Sequence, residues 1–114
     1  MKVLVCGSRA ATSTAEGQLI YRVISALRPD VVVQGGARGV DEWARGWAED
    51  ANRQCVTYPA DWESFGRAAG PKRNQLMLDD SKPDIVLAFP GGKGTADMVR
   101  RAKAGGYVVL QVVP

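Results

Sequence analysis

Short, largely apolar runs alternating with segments of helical periodicity constrain this chain more than any other feature. The runs are Lys2 to Cys6, Val31 to Gln34, Gln54 to Tyr58 and Asp84 to Phe89, and Tyr107 to Val113 completes the series. A run that stays apolar instead of alternating fits a strand buried on both faces, which is the environment of a parallel sheet. Between the runs, Ile20, Val23, Ile24 and Leu27 form one apolar helical stripe. Val40, Trp43, Ala44, Trp47, Ala48 and Ala51 form another, with Asp41, Glu42, Arg45, Glu49 and Asp50 elsewhere on the wheel. Ser13 or Thr14 can cap the first helix, with Glu16 in its first turn, and Pro29-Asp30 ends it. A third helix starts near Pro71 after a loop from Pro59 to Gly70, and a fourth runs from Ala96 to Lys103. Right-handed crossovers then predict an α/β fold: a small doubly wound, Rossmann-like sheet of about five parallel strands with helices on both faces. A chain of 114 residues supports one such core, so residues 1–114 are expected to be a single domain.

In sheets of this kind ligands bind beyond the carboxyl ends of the strands. Four features leave those ends: Gly7-Ser8-Arg9, the turn Gly35-Gly36-Ala37-Arg38-Gly39, the Pro59–Gly70 loop, and Pro90-Gly91-Gly92-Lys93-Gly94-Thr95. A glycine-rich turn that opens a helix presents backbone N–H groups and the positive end of a helix dipole, which together favour phosphate. Thr95 is expected to cap the last helix and to offer its hydroxyl to a ligand.

Other chemistries are excluded by residue type. The chain has no histidine, which removes Ser-His-Asp and Cys-His nucleophile activation and any imidazole base. Two cysteines without histidine do not make a zinc site, so no metal is expected, and Cys6 and Cys55 read as reduced thiols in buried strands. The first turn lacks G-x-G-x-x-G, and the Gly-Lys-Gly-Thr turn lacks the Walker spacer, so neither a standard NAD dehydrogenase nor a P-loop NTPase fits. The net charge of +3 is too small and too scattered to argue for nucleic acid. Arg100, Arg101 and Lys103 read as a solvated face near the end of the last helix. No apolar run approaches a membrane span, and the N-terminal one is too short for a signal peptide. The expectation is a cytoplasmic protein with no membrane partner.

Five ordered motifs carry a family resemblance: Val5-Cys6-Gly7-Ser8-Arg9, Gly35 to Asp41, Pro59-Ala60-Asp61-Trp62, Ala69 to Met77, and Phe89 to Thr95. Together they resemble the SLOG superfamily, in particular its small stand-alone YspA-like branch. The resemblance implies a Rossmann-like domain that binds a nucleotide or nucleotide-derived ligand, with no cofactor required. Lonely Guy members are phosphoribohydrolases with the pattern P-G-G-x-G-T-x-x-E, whose glutamate acts with an arginine from the preceding helix. Arg73 matches that arginine, but Met98 stands at the glutamate position. The binding apparatus therefore resembles the family while the catalytic pair is broken, and Arg73, Asp97 and Asp41 are the remaining catalytic candidates.

The expected phosphate site is Pro90, Gly91, Gly92, Lys93, Gly94 and Thr95. Gly7, Ser8 and Arg9 close the pocket from the first strand. Gly35, Gly36 and Gly39 either admit the ligand or serve close helix–strand packing. Asp41 binds a ribose hydroxyl or its own helix N-terminus. Arg73 and Asn74 contact phosphate or pair with Asp79 or Asp80. Trp62 stacks on a base or packs its loop, and Trp43 and Trp47 belong to the core or to a partner interface. The leading expectation is a nucleotide-binding sensor or sequestering protein. The alternatives are a hydrolase of nucleoside 5′-monophosphates, using Asp97 or Asp41, and a single-stranded DNA-binding module of the kind found in DprA proteins. Lonely Guy proteins are dimers, so the resemblance also implies a homodimer, with a monomer as the alternative.

Overall fold

The computed structural model describes residues 1–113. Five strands, β1 (Lys2–Cys6), β2 (Val31–Gln34), β3 (Gln54–Thr57), β4 (Ile85–Ala88) and β5 (Val109–Gln111), form one sheet in the order β3-β2-β1-β4-β5. Every pairing is parallel, with Leu4 opposite both Val33 and Val86. The doubly wound α/β expectation is met. Among the described residues no helix is long and apolar enough to cross a membrane.

Helices α1 (Thr14–Leu27) and α2 (Val40–Asp50) cover one face, where Ile20, Ile24, Ala44 and Trp47 meet Val3, Val5 and Val32. Helices α4 (Ala69–Ser81) and α5 (Lys93–Ala104) cover the other, where Met77, Leu78, Met98 and Ala102 meet Leu4, Val33 and Val86. Two apolar layers thus sandwich the sheet, and alternate residues of β1 feed each of them. Ser13 caps α1 through a reciprocal pair with Glu16, so Thr14 is its first helical residue. Trp47 is buried and Trp43 half-buried; their Nε1 groups donate to Ser25 Oγ and to the Ala11 carbonyl.

Several boundaries differ from expectation for identifiable reasons. The Pro59–Gly70 segment holds a helical turn, α3 (Trp62–Phe65), capped by Asp61, followed by a 3₁₀ turn over Gly66–Ala68. Turn residues disguise it in the sequence, and α4 begins at Ala69, before Pro71. α5 begins at Lys93 instead of Ala96, because the chain finishes its turn at Gly92, which is the capping residue. Thr95 is therefore inside the helix and does not cap it. Cys55 is half-buried because β3 is an edge strand, whereas Cys6 on β1 is buried; both are free thiols.

Candidate functional site

The strand order reverses between β1 and β4, and a cleft of about 390 Å³ lies beyond their carboxyl ends. Backbone contacts hold the two edges of this opening together. Ser8 N–H donates to the Pro90 carbonyl and Val40 N–H to the Ser8 carbonyl, tying the loop after β1 to both glycine turns. The cleft is lined by Gly7, Ser8 and Arg9 after β1, by Gly35 and Asp41 after β2, by Arg73 and Asn74 on α4, and by Gly92, Lys93, Gly94 and Thr95 at the start of α5. Three of the four predicted features, the turns after β1, β2 and β4, thus meet at this cleft together with α4, while the Pro59–Gly70 loop lends it no residue. Cys6, Met77 and Met98 form an apolar floor that sequence reasoning did not assign to the site, apart from Met98. Burial, helped by nearby Asp41, pushes the Cys6 thiol up to about 12, so it is not a nucleophile at neutral pH.

The two glycine turns are not equivalent. At the start of α2, Asp41 Oδ2 accepts from Gly35 N–H (3.2 Å) and Ala37 N–H (3.1 Å), so the turn already holds a carboxylate of its own. At the start of α5 no side chain caps the helix and no acid lies in its first turn. The first intrahelical bond is Ala96 N–H to the Gly92 carbonyl, which leaves the N–H groups of Lys93, Gly94 and Thr95 without acceptors among the described residues. An uncapped helix start facing a cleft has the electrostatics that favour an anion.

Glycine is required near both turns for packing. Gly39 has φ +71°, and a Cβ there would collide with the Ser8 carbonyl and lie 2.8 Å from the Arg9 backbone. A Cβ on Gly91 would strike the Thr95 hydroxyl. Gly39, Pro90 and Gly91 do not line the cleft: they shape it, and for Gly39 the packing alternative holds. Gly36 and Trp62 lie in an adjoining chamber that shares Arg9, Gly35, Ala37 and Arg73 with the main cleft.

The polar side chains are held in a connected array. Asp41 is 8% exposed, and desolvation raises its pKa against the pull of its two N–H donors and Arg73. Arg73 Nη1 donates to the Gly35 carbonyl at 2.6 Å and more weakly to that of Tyr58, and its Nε donates to Asn74 Oδ1. Its Nη2 has no acceptor among the described residues. Asn74 is buried, with Nδ2 donating to the Gly94 carbonyl and to Asp97 Oδ2. Neither residue pairs with Asp79 or Asp80; those carboxylates accept from Gln75 and Tyr58 instead.

Asp97 does not line the cleft. It accepts from Asn74, Arg101 and Arg100, so Arg100 is ion-paired yet still exposed and Arg101 is half-buried against the same carboxylate; Lys103 is exposed. Burial alone would raise its pKa, but the Asn74 bond and the two guanidiniums hold it below the ordinary carboxylate value. A carboxylate so placed is a poor proton donor, and the ~100° helical step between neighbours explains why. Met98 turns toward the cleft and Asp97 turns toward Arg100 and Arg101.

The YspA, cpYpsA-related SLOG family model matches residues 1–65, which span β1 through α3. The Gene 61 protein of Mycobacterium phage D29 is 41% identical over 87 residues, covering 70% of this chain and 69% of that protein. Among solved structures, DNA processing protein A (DprA) from Streptococcus pneumoniae superposes with a TM-score of 0.80 at 20% identity. That match takes in 99% of this chain but 50% of DprA, so the chain spans half of that protein's length. TM1055 superposes with a TM-score of 0.73 at 22% identity, over 95% of this chain and 71% of that one. At such identities the two structures share the fold.

Proposed function

The chain belongs to the YspA, cpYpsA-related SLOG family, and we propose that it binds a nucleotide or nucleotide-derived phosphate ligand at the carboxyl edge of its sheet, as a sensor or sequestering protein. The observation that carries this reading is the start of α5. Three first-turn N–H groups without acceptors open on a cleft whose cations are Arg9, Arg73 and Lys93. The one carboxylate in the cleft, Asp41, is already engaged by two backbone N–H groups. A phosphate bound there gains charge-assisted bonds without displacing any internal partner. Two free thiols fit a reducing cytoplasm.

Binding is favoured over turnover by what faces the ligand. Met98 lines the cleft where hydrolytic relatives would carry an acid, and Asp97 is turned away and held ionised. One observation favours hydrolysis: Asp41 is buried in the cleft with a raised pKa, as a proton donor requires. That second reading expects release of the base from a nucleoside 5′-monophosphate, lost in Asp41→Asn; an unchanged rate removes it.

The deciding experiment for the main reading is a melting screen against AMP, ADP, ADP-ribose, NAD, NADP and cyclic nucleotides. A ligand at a hundred times its Kd adds ~2.7 kcal/mol, which for a chain this size raises Tm on the order of 10 °C. A selective rise supports the reading; a flat panel refutes it.

A further inference from the structure

We propose that the chain pairs with a second copy of itself along the free edge of β5, joining the two sheets about a two-fold axis at Leu110. This is independent of the phosphate reading and uses no residue of the cleft. β5 is the last strand of the sheet and has β4 as its one neighbour. Val86 N–H donates to the Val108 carbonyl and Val112 N–H to the Ala88 carbonyl, so the even-numbered residues turn their backbone groups toward β4. Alternation then turns the N–H and C=O groups of Val109 and Gln111 outward, where no strand meets them among the described residues.

The edge is also apolar. Leu110 lies opposite Leu87 and shares its face of the sheet, the one that carries α1 and α2. α2 sits over β1 to β3 with α1 beside it, which leaves β5 bare on that face. Val108 is accordingly 57% and Leu110 41% exposed, and Val112 is half-buried. No residue from Tyr107 to Val113 is charged, and none is proline. The opposite edge strand, β3, has Arg53 before it and Pro59 soon after it, residue types that discourage edge pairing.

A second copy is the occupant these features fit. Outward N–H and C=O groups call for a strand, and an uncharged strand meets its own copy without like-charge repulsion. In an antiparallel pairing centred on Leu110, Val109 of one copy exchanges N–H···O bonds with Gln111 of the other. Leu110 then faces Leu110 and Val108 faces Val112, all on the bare face. Centring on Val109 or Gln111 instead loses apolar pairs from that row. The pairing is isologous and closes at two chains. On the other face α5 runs over β4 and β5, and Lys103 Nζ donates to Gln111 Oε1 at 3.4 Å. The flank of α5 beside the edge therefore carries Ala96, Val99 and Lys103, so a short side chain, an apolar one and a single exposed cation border the second copy. Stable interfaces bury about 800 Å² on each partner. A short strand edge with one helix flank lies below that, so the dimer is reversible, with a Kd in roughly the micromolar range.

Sedimentation velocity on the full chain over roughly 1–200 µM, a range that brackets such a Kd, tests the proposal. Wild type is expected to pass from monomer to dimer. Leu110→Glu and Leu110→Lys are each expected to stay monomeric throughout, because like charges face each other at the axis. Mixing the two variants in equal amounts is expected to recover the dimer, which an interface elsewhere on the molecule does not do. Amide exchange on wild type needs no variant: protection of Val109 and Gln111 should rise with concentration while that of β3 stays constant. Wild type that remains monomeric at the top of the range overturns the proposal. So does a dimer that survives both substitutions, or exchange at Val109 and Gln111 that ignores concentration. A mixture that stays monomeric overturns the pairing about Leu110.

Discussion

Gly94→Ala separates a glycine kept for the fold from one kept for a ligand. Gly94 is the second residue of α5, and a Cβ built on it meets nothing within 4 Å. Its carbonyl, which accepts from Asn74 Nδ2, is untouched by the change. Alanine is better than glycine in a helix by up to about 1 kcal/mol, and less in a first turn. The free protein is therefore expected to melt unchanged or up to about 5 °C higher. Ligand binding responds in the opposite sense. The methyl group projects at the uncapped helix start, beside the N–H groups that receive the anion, and holds phosphate oxygens away from them. Losing one charge-assisted bond of roughly 1.5–3 kcal/mol corresponds to about a ten- to hundredfold weaker Kd. Calorimetric titration of AMP into both proteins, alongside a melting curve without ligand, reads both effects. A stabilised variant that binds AMP as tightly as wild type refutes the placement of the phosphate at α5.

Other expectations concern the scaffold and its titration. Gly39→Ala combines a backbone conformation that costs L residues about 1–3 kcal/mol with a collision against the Ser8 carbonyl. A loss of at least about 2 kcal/mol in urea unfolding is expected, and a loss under 0.5 kcal/mol contradicts the packing. Asp97 and Asp41 titrate with opposite sign. The folded pKa of Asp97 is lowered from 3.8, so its stabilisation is present above that value and is lost as pH falls through the folded pKa. The folded pKa of Asp41 is raised, so its contribution is present below 3.8 and is lost as pH rises through the folded value. Between pH 3 and 7, Asp97→Asn should therefore cost more at the higher pH, and Asp41→Asn should compare best with wild type there. Parallel melting curves for the two variants across that range would contradict the assigned environments.

The fold was legible because it is written in patterns with few solutions. Unbroken apolar strands such as Val31 to Gln34 admit little besides a sheet covered on both faces, and the stripe from Val40 to Ala48 fixes which side of α2 is inward. The edge that carries the site followed from topology alone, since every βα turn of a parallel sheet leaves by the carboxyl end. What periodicity does not encode is where a polar side chain finds its partner. Nothing in the local sequence says that Arg73 reaches back across 38 positions to the Gly35 carbonyl, or that Asn74 bridges to Asp97 on α5. The α3 turn escaped because Asp61, Ser64 and Gly66 are ordinary loop residues until Asp61 accepts from Ser64 N–H.

The same limit explains why two glycine turns that look alike in sequence differ in what caps them. Both leave buried strands, both open amphipathic helices, and both place N–H groups at the same edge. The difference lies in the residues that follow. Val40-Asp41 puts a carboxylate back into its own turn, where it accepts from Gly35 and Ala37. Thr95-Ala96 offers only a hydroxyl, and the next acid, Asp97, is drawn off by Asn74, Arg100 and Arg101. The first turn thus carries its anion internally, whereas the second keeps open the N–H groups to which the proposed phosphate would bind. In that arrangement the array from Arg73 through Asn74 to Asp97 has a positional role. It holds Asp97 between Asn74 and the two guanidiniums, while pinning the Gly94 carbonyl to α4. Asp97→Asn is accordingly expected to disturb anion binding through the position of α5 as well as through charge.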